Sequence, residues 1–388
     1  MDIVRYGIVG LGNQGSSYIK EIFNAGKIEN GVITALCDIN PDKIEYAKTY
    51  VKGNAIVFFT EYIKMLDSGL VDAVLVETPH YLHPEIAKEC LKRGIHVLVD
   101  KPAGVYEKQV AEMNEAAKKS KAIFGMMFNQ RTICYFRKMK EMIASGEVGE
   151  LQRIVWVITD WYRPQAYYES GSWRATWKGE GGGVLINQCP HQIDLLQWIV
   201  GEMPKTVSAL CKYGKWHDIE VEDDVTATFE YENGATGVFI TTTGECPGTN
   251  RLEISGTKGK LVCENGKILF YKLSEDITEF SKQNTAPFGR PKAECIEIET
   301  DGKREEHAGI IKNFTQTILG KEKLFVNGIE GIKGVQLMNA IEYSGWNGGK
   351  KVEIPVNPDV YLAALEEKQK ISKDKKVKET VTNTVGTY

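Results

Sequence analysis

Asn187 and His191 stand four residues apart in GEGGGVLINQCPHQIDLLQWIVG, the stretch from Gly179 to Gly201. If that turn is helical, the two side chains share a face. Ile193, Leu195, Leu196, Trp198 and Ile199 follow at helical spacing, so a buried helix is expected to begin near Asn187, a good capping residue. Pro190, tolerated only in a first turn, fits that start. Gly181, Gly182 and Gly183 permit close approaches that side chains would forbid. An imidazole at the positive end of a helix, beside such a gap, can accept a proton near neutral pH. The same pattern also fits a capped core helix with a satisfied histidine.

A second group of residues suits a dinucleotide. GLGNQG carries Gly10, Gly12 and Gly15, with Asn13 and Gln14 between them. It lies between a strand at Val4 to Val9 and a helical pattern at Ser16 to Ala25. Gly10 allows the tight turn, Gly12 lets backbone approach a pyrophosphate, and Gly15 lets helix pack on strand. Asp38 ends a second strand, Gly31 to Cys37. A carboxylate there holds both ribose hydroxyls of NAD and repels the extra phosphate of NADP, and no arginine follows it closely.

Further strands at Ala73 to Val76, Ile95 to Val99 and Ile123 to Met127 alternate with helices, giving a parallel, doubly wound α/β sheet. Ligands of such sheets lie beyond the carboxyl ends of the strands. Thr78, Pro79, His83, Asp100, Lys101 and Pro102 therefore fall on the cofactor side, and Asn129, in the FNQR that closes the last strand, joins them. A lysine at a strand end, inside a ligand crevice, reads as functional rather than as a solvated surface lysine. His80 and His83 share i, i+3 spacing, but no other ligand-type residues cluster nearby, so no metal is expected.

Length and composition agree with two domains. The 388 residues exceed one ordinary core, and the formal net charge of -4 gives no reason to expect nucleic acid or an anionic membrane. Eight cysteines without a CxxC pair suggest reduced thiols in a cytoplasm. No signal peptide or membrane span is apparent. After Arg131 an amphipathic helix at Tyr135 to Ala144 gives way to strands with short turns, including an Asn233-Gly234 hairpin signal. These predict an α+β domain on a mainly antiparallel sheet. The expected division is a Rossmann domain at 1–128, a substrate-binding domain at 129–366, and a mobile tail at 367–388, where no period of either kind is visible from Lys368.

With these motifs in hand, the chain resembles the Gfo/Idh/MocA family of NAD(P)-dependent sugar oxidoreductases. GLGNQG, TPHYLHPEIA, DKP and GGGVLINQCPHQID carry the likeness together. The resemblance implies a Rossmann domain plus an open antiparallel sheet, a cis bond at Lys101-Pro102, and Lys101 and His191 flanking substrate and nicotinamide. It also implies that Trp173 and Arg174 approach NAD, and a homo-oligomer, dimer or tetramer, is expected. Two departures matter: Asn187 replaces an aspartate and Cys189 a glycine, while Asp100 for glutamate is mild. Asn187 cannot relay a proton, which leaves an inositol-type triad incomplete and resembles the branch that oxidises the 3-hydroxyl of sugars. Trp161, Tyr162, Tyr167, Tyr168, Trp173 and Trp177 could stack on a pyranose, with Arg163 and Arg174 on its oxygens and Arg131 and Tyr135 as further substrate residues; packing is expected to claim about half of the aromatics.

The expected activity is NAD-dependent oxidation of a secondary hydroxyl of a sugar or glycoside, with Lys101, His191 and Asn187 in catalysis. Three other readings stay open. An NAD-dependent glycoside hydrolase would oxidise, eliminate and reduce again, but known ones follow the histidine with Gly-Leu-Gly-Pro, where this chain has Gln192 to Leu195. An inositol dehydrogenase and a catalytically silent NAD-binding regulator are the others; Lys101 and His191 together argue against silence.

Overall fold

The computed structural model describes residues 2–53, 55–373 and 375. Six parallel strands form the first sheet: β1 (Val4–Val9), β2 (Gly31–Cys37), β3 (Val57–Phe59), β4 (Ala73–Val76), β5 (His96–Val99) and β6 (Phe124–Met126). Their order is β3-β2-β1-β4-β5-β6. All four residues of β4 are buried, as a central strand covered on both faces requires. The strand order reverses between β1 and β4, so the loops after these two strands meet at the ligand crevice. Strand β3 escaped the pattern reading because it is only three residues long and exposes Val57.

The helix after β1 begins at Asn13, earlier than the expected Ser16, and continues as a π-helix over Tyr18–Phe23. Gly15 thus lies inside the helix, where its missing side chain matters most.

The second sheet has nine strands: β7 (Leu151–Ile158), β8 (Thr206–Tyr213), β9 (Glu222–Glu230), β10 (Thr236–Thr242), β11 (Asn250–Gly256), β12 (Gly259–Glu264), β13 (Lys267–Leu273), β14 (Ala293–Ile298) and β15 (Val352–Glu353). The order is β14-β13-β12-β11-β7-β10-β9-β8-β15, antiparallel throughout except that β7 pairs parallel with β10. The edge strands β14 and β15 gave no sequence signal, the first being almost wholly exposed and the second two residues long. On the covered face Trp156 is buried between Phe136 and Phe239, at centroid distances of 5.9 and 6.4 Å. The helices Cys134–Ala144, Pro190–Val200 and Gly331–Trp346 lie on that side.

The expected tail needs correcting at its start. Helix Pro358–Lys370 is capped by the Asn357 side chain and buries only Tyr361 and Leu365, a stripe too short to register as a period. Beyond it, the Lys373 amide donates to Glu220 at 3.0 Å, and the Lys375 ammonium reaches the carbonyls of Tyr168 and Arg174. The remainder of the 367–388 segment, residue 374 and residues 376–388, lies outside the described residues. Among the described residues no helix is long and apolar enough to cross a membrane.

Candidate active site

The glycine turn is shaped for a close ligand. Gly10 has φ +99°, and a Cβ on it would lie 2.4 Å from the Glu77 carbonyl oxygen; one on Gly15 would lie 2.0 Å from the Gly10 carbonyl oxygen. Gly12 by contrast faces open space, the room a pyrophosphate needs. Asp38 is buried and accepts from the amides of Leu11 at 2.8 Å and Asn40 at 2.9 Å, with Lys43 Nζ 3.7 Å away. Gln14 Nε2 and Thr78 Oγ1 are buried without a partner among the described residues, two orphaned groups beside the crevice. These residues fit a dinucleotide.

His83 links two loops of the crevice. Its ring is buried, with Nδ1 2.8 Å from the Pro102 carbonyl and Nε2 2.7 Å from the Thr78 carbonyl. It therefore ties the loop after β4, which holds Thr78 and Pro79, to the loop after β5. The Lys101-Pro102 bond is cis. Asp100 accepts from the Lys101 amide at 2.8 Å. Burial, then the charge of Asp100, pushes the Glu77 carboxyl well above its usual range. Asn129 Nδ2 lies 3.3 Å from Nδ1 of His307, whose half-buried imidazole is pushed down to about 4 by desolvation. His307 comes from a distant helix, Glu306–Ile318, and nothing in its local sequence marked it.

Asn187 is not the helix cap that its type suggested. A separate turn, Val184–Asn187, precedes helix Pro190–Val200, whose cap is Cys189 and whose first residue is Pro190. The break falls at Pro190, which has no N–H to continue the helical ladder, while Glu222 at the start of β9 caps the preceding turn by holding the amides of Gly183 and Leu185 at 2.8 and 2.9 Å. A Cβ on Gly183 would lie 2.0 Å from the Glu222 carbonyl oxygen, so only glycine admits this approach. The turn brings the Asn187 carbonyl to Lys101 Nζ at 2.9 Å, joining the two domains. His191 is buried in the first turn of the next helix, and its Nδ1 has no partner among the described residues. Burial, with the nearby charge of Lys101, holds its imidazole well below the ordinary value, hence neutral at pH 7. Cys189 is a buried thiol 3.1 Å from Thr241 Oγ1.

Two expected substrate residues lie elsewhere. Arg131 is 1% exposed and grips Asp194 with two hydrogen bonds of 2.7 Å, its third partner being Glu330 at 2.8 Å. The guanidinium is spent inside the core, and Asp194 is unavailable to support His191. Tyr135 packs on Phe136 at 4.5 Å and accepts from Arg304 at 3.2 Å, a contact outside this cluster.

The aromatic stretch divides between core packing and stacking on arginines. Trp177 is buried against Tyr213 and Trp346, and Tyr168 bonds Thr243. Tyr167 instead lies between two cations: Arg163 is 5.3 Å and Arg174 4.6 Å from its ring centroid. Arg163 also lies over Trp161 at 5.5 Å and donates to the carbonyl of exposed Tyr162. Trp173 meets Arg174 at 4.7 Å and His80 at 5.6 Å, which places this pair against the loop after β4. The Tyr167 hydroxyl donates to Asn187 Oδ1 at 3.2 Å. The Asn187 amide donates in turn to Glu180, a buried carboxyl that the sequence reading missed. An acid set among glycines just before the GGG run was the available signal.

Comparison with known proteins agrees with this geometry. Residues 4–128 match the oxidoreductase family with an NAD-binding Rossmann fold, and residues 136–262 match the GFO/IDH/MocA C-terminal domain. The myo-inositol 2-dehydrogenase of Thermotoga maritima is 26% identical over 269 residues, 68% of this chain and 75% of that protein. The 1,5-anhydro-D-fructose reductase of Ensifer adhaerens is 24% identical over 265 residues, 67% and 76% of the two chains. The WlbA dehydrogenase of Chromobacterium violaceum, solved with NADH and UDP-GlcNAcA, superposes with a TM-score of 0.77 at 25% identity, over 92% of this chain and 97% of that one. The chain belongs to the Gfo/Idh/MocA family of oxidoreductases.

Proposed function

We propose that the protein is an NAD-dependent dehydrogenase that oxidises a secondary hydroxyl of a sugar or glycoside, at C3 of a pyranose. One observation carries the reading: the Lys101 ammonium, anchored on Asn187, lies near enough to a neutral, buried His191 for its charge to depress that imidazole. Relatives named for myo-inositol and anhydrofructose, and one holding UDP-GlcNAcA, support a polyhydroxylated ring as substrate.

NAD, when bound, would supply the hydride acceptor. The Rossmann crevice would hold it through the glycine turn, with Asp38 for the ribose hydroxyls, Gln14 and Thr78 offering unpaired groups, and Trp173 and Arg174 as further cofactor contacts. The substrate hydroxyl gives its proton to the unprotonated ring nitrogen of His191. Lys101 Nζ keeps two N–H groups after its bond to Asn187, and these meet the same oxygen and stabilise its developing charge. Trp161, Tyr162 and Arg163 line the approach of the sugar.

C3 is favoured because Asn187 offers no charge to an imidazolium. A product whose ketone acidifies neighbouring C–H bonds suits such a site. Glucosides deuterated at C2, C3 or C4 test this, with product position read by NMR. A primary isotope effect and ketone at C3 are expected; either signal at C2 or C4 overturns the regiochemistry. Aglycone release without net NADH would instead favour the hydrolase.

A further inference from the structure

Glu180 ends a directed hydrogen-bond chain. Arg174 Nη1 donates to the Tyr167 hydroxyl at 2.8 Å, and Gln188 Nε2 donates to the same oxygen at 3.1 Å. That hydroxyl donates onward to Asn187 Oδ1, and the Asn187 amide donates to Glu180 Oε1. The other carboxyl oxygen accepts from the Ala175 amide. Every donor in the chain points toward the carboxyl, so the arrangement is complete only when both of its oxygens accept.

We propose that Glu180 is a positioning residue of the oxidation proposed above: as a carboxylate it fixes the orientation of Asn187, and its protonation reverses that amide and disarms the site. The logic is one of counting. A protonated Glu180 must donate, and the Ala175 amide cannot accept. The proton therefore needs Asn187 Oδ1, which turns the amide over and aims its NH₂ at the Tyr167 hydroxyl. That oxygen already receives from Arg174 and Gln188, so a third donor has no lone pair left. The main-chain carbonyl of that residue holds Lys101, so the turn that must absorb this clash is the one that places the ammonium.

The surroundings set where this happens. Burial raises the Glu180 carboxyl to about 7, opposed first by the charge of Arg174 and assisted by the charge of Glu222. Lys101 and Lys375 also face it with positive charge, while His80, Tyr167 and Tyr168 face it uncharged. A group titrating near 7 loses about tenfold of its carboxylate form from pH 8 to pH 6. His191, held well below its ordinary value, titrates in a more acid range.

Two measurements on the full chain test the inference. The first is infrared titration without cofactor or sugar. A protonated-carboxyl C=O band should vanish as pH rises through about 7 in the parent, and Glu180→Gln should lack it. Subtracting the Glu180→Gln spectrum removes the band of Glu77, which is also raised; no difference band titrating between about 6 and 8 overturns the inference. The second is kcat/KM against pH with methyl β-D-glucoside and NAD. The parent should lose about tenfold between pH 8 and 6, Glu180→Gln should be low and flat, and Glu180→Asp should regain a pH-dependent limb. Parental pH dependence in Glu180→Gln overturns the coupling. Absence of turnover with every sugar tried defeats the dehydrogenase reading alone, and the infrared band still decides the role of Glu180.

Discussion

Arg131 and Asp194 form a two-pronged ion pair sealed from solvent, each 1% exposed, at the root of the helix that carries His191. The pair holds that helix against the segment following β6. Removing one partner leaves a buried charge without its counterpart. Asp194→Ala should therefore cost about 3–5 kcal/mol of unfolding free energy in urea, and the Arg131→Met, Asp194→Leu double variant should cost less than the sum of the singles. A loss below about 1 kcal/mol, the scale of an exposed pair, would show that the bond carries no weight.

Asp38 predicts the choice of cofactor. Both carboxylate oxygens are pinned by backbone amides, so the charge cannot swing aside for a 2'-phosphate. NADH should bind at least about tenfold tighter than NADPH, roughly 1.4 kcal/mol, in a fluorescence titration. Asp38→Ala should narrow that gap, all the more because Lys43 is then free to meet the phosphate. Equal affinities in the parent would refute the prediction.

Lys101 and His191 are expected to act on chemistry rather than on cofactor binding. Alanine at either position should lower turnover by about 10²-fold or more and leave NAD affinity nearly unchanged. Near-parental rates for both variants on the best sugar would remove them from the mechanism.

His307 predicts an acid-side loss of stability. His307 has its pKa lowered from 6.5 to about 4, so between these values the unfolded chain binds a proton that the folded chain refuses. Its contribution to stability therefore falls as pH drops from about 6.5 toward 4. Glu180, raised to about 7, acts in the opposite sense, since the folded chain keeps its proton above the ordinary 4.5. Comparing variants isolates one group. In His307→Phe the slope of unfolding free energy against pH should change by up to about 1.4 kcal/mol per unit, read by urea denaturation across pH 5 to 6. An unchanged slope would mean that His307 titrates normally.

The Rossmann half was largely legible from sequence. Strands β1, β2 and β4 have the expected limits because each is a short apolar run whose end is marked by glycine or an acid. The crevice followed, since chain order places the loops after β1, β4 and β5 on one side. Partner choice was not legible. Arg131 looks like any arginine in a polar segment, and only folding reveals Asp194, 63 residues on, and Glu330, 199 residues on. Asn187 has the composition of a cap, but the long helix starts only at Pro190, and Glu222 from another strand caps the short turn that Asn187 ends. Glu180 and His307 were missed for the same reason: their environment is assembled from segments far apart in the chain.

The bonds from Lys375 to the carbonyls of Tyr168 and Arg174 span 207 and 201 residues. Together with the docking of helix Pro358–Lys370, they give the aromatic loop a support supplied by nearly the last described residue. On a ribosome, every side chain proposed for catalysis is synthesised well before that support exists. The nascent chain therefore carries the proposed reacting groups beside an aromatic loop that this brace does not yet hold.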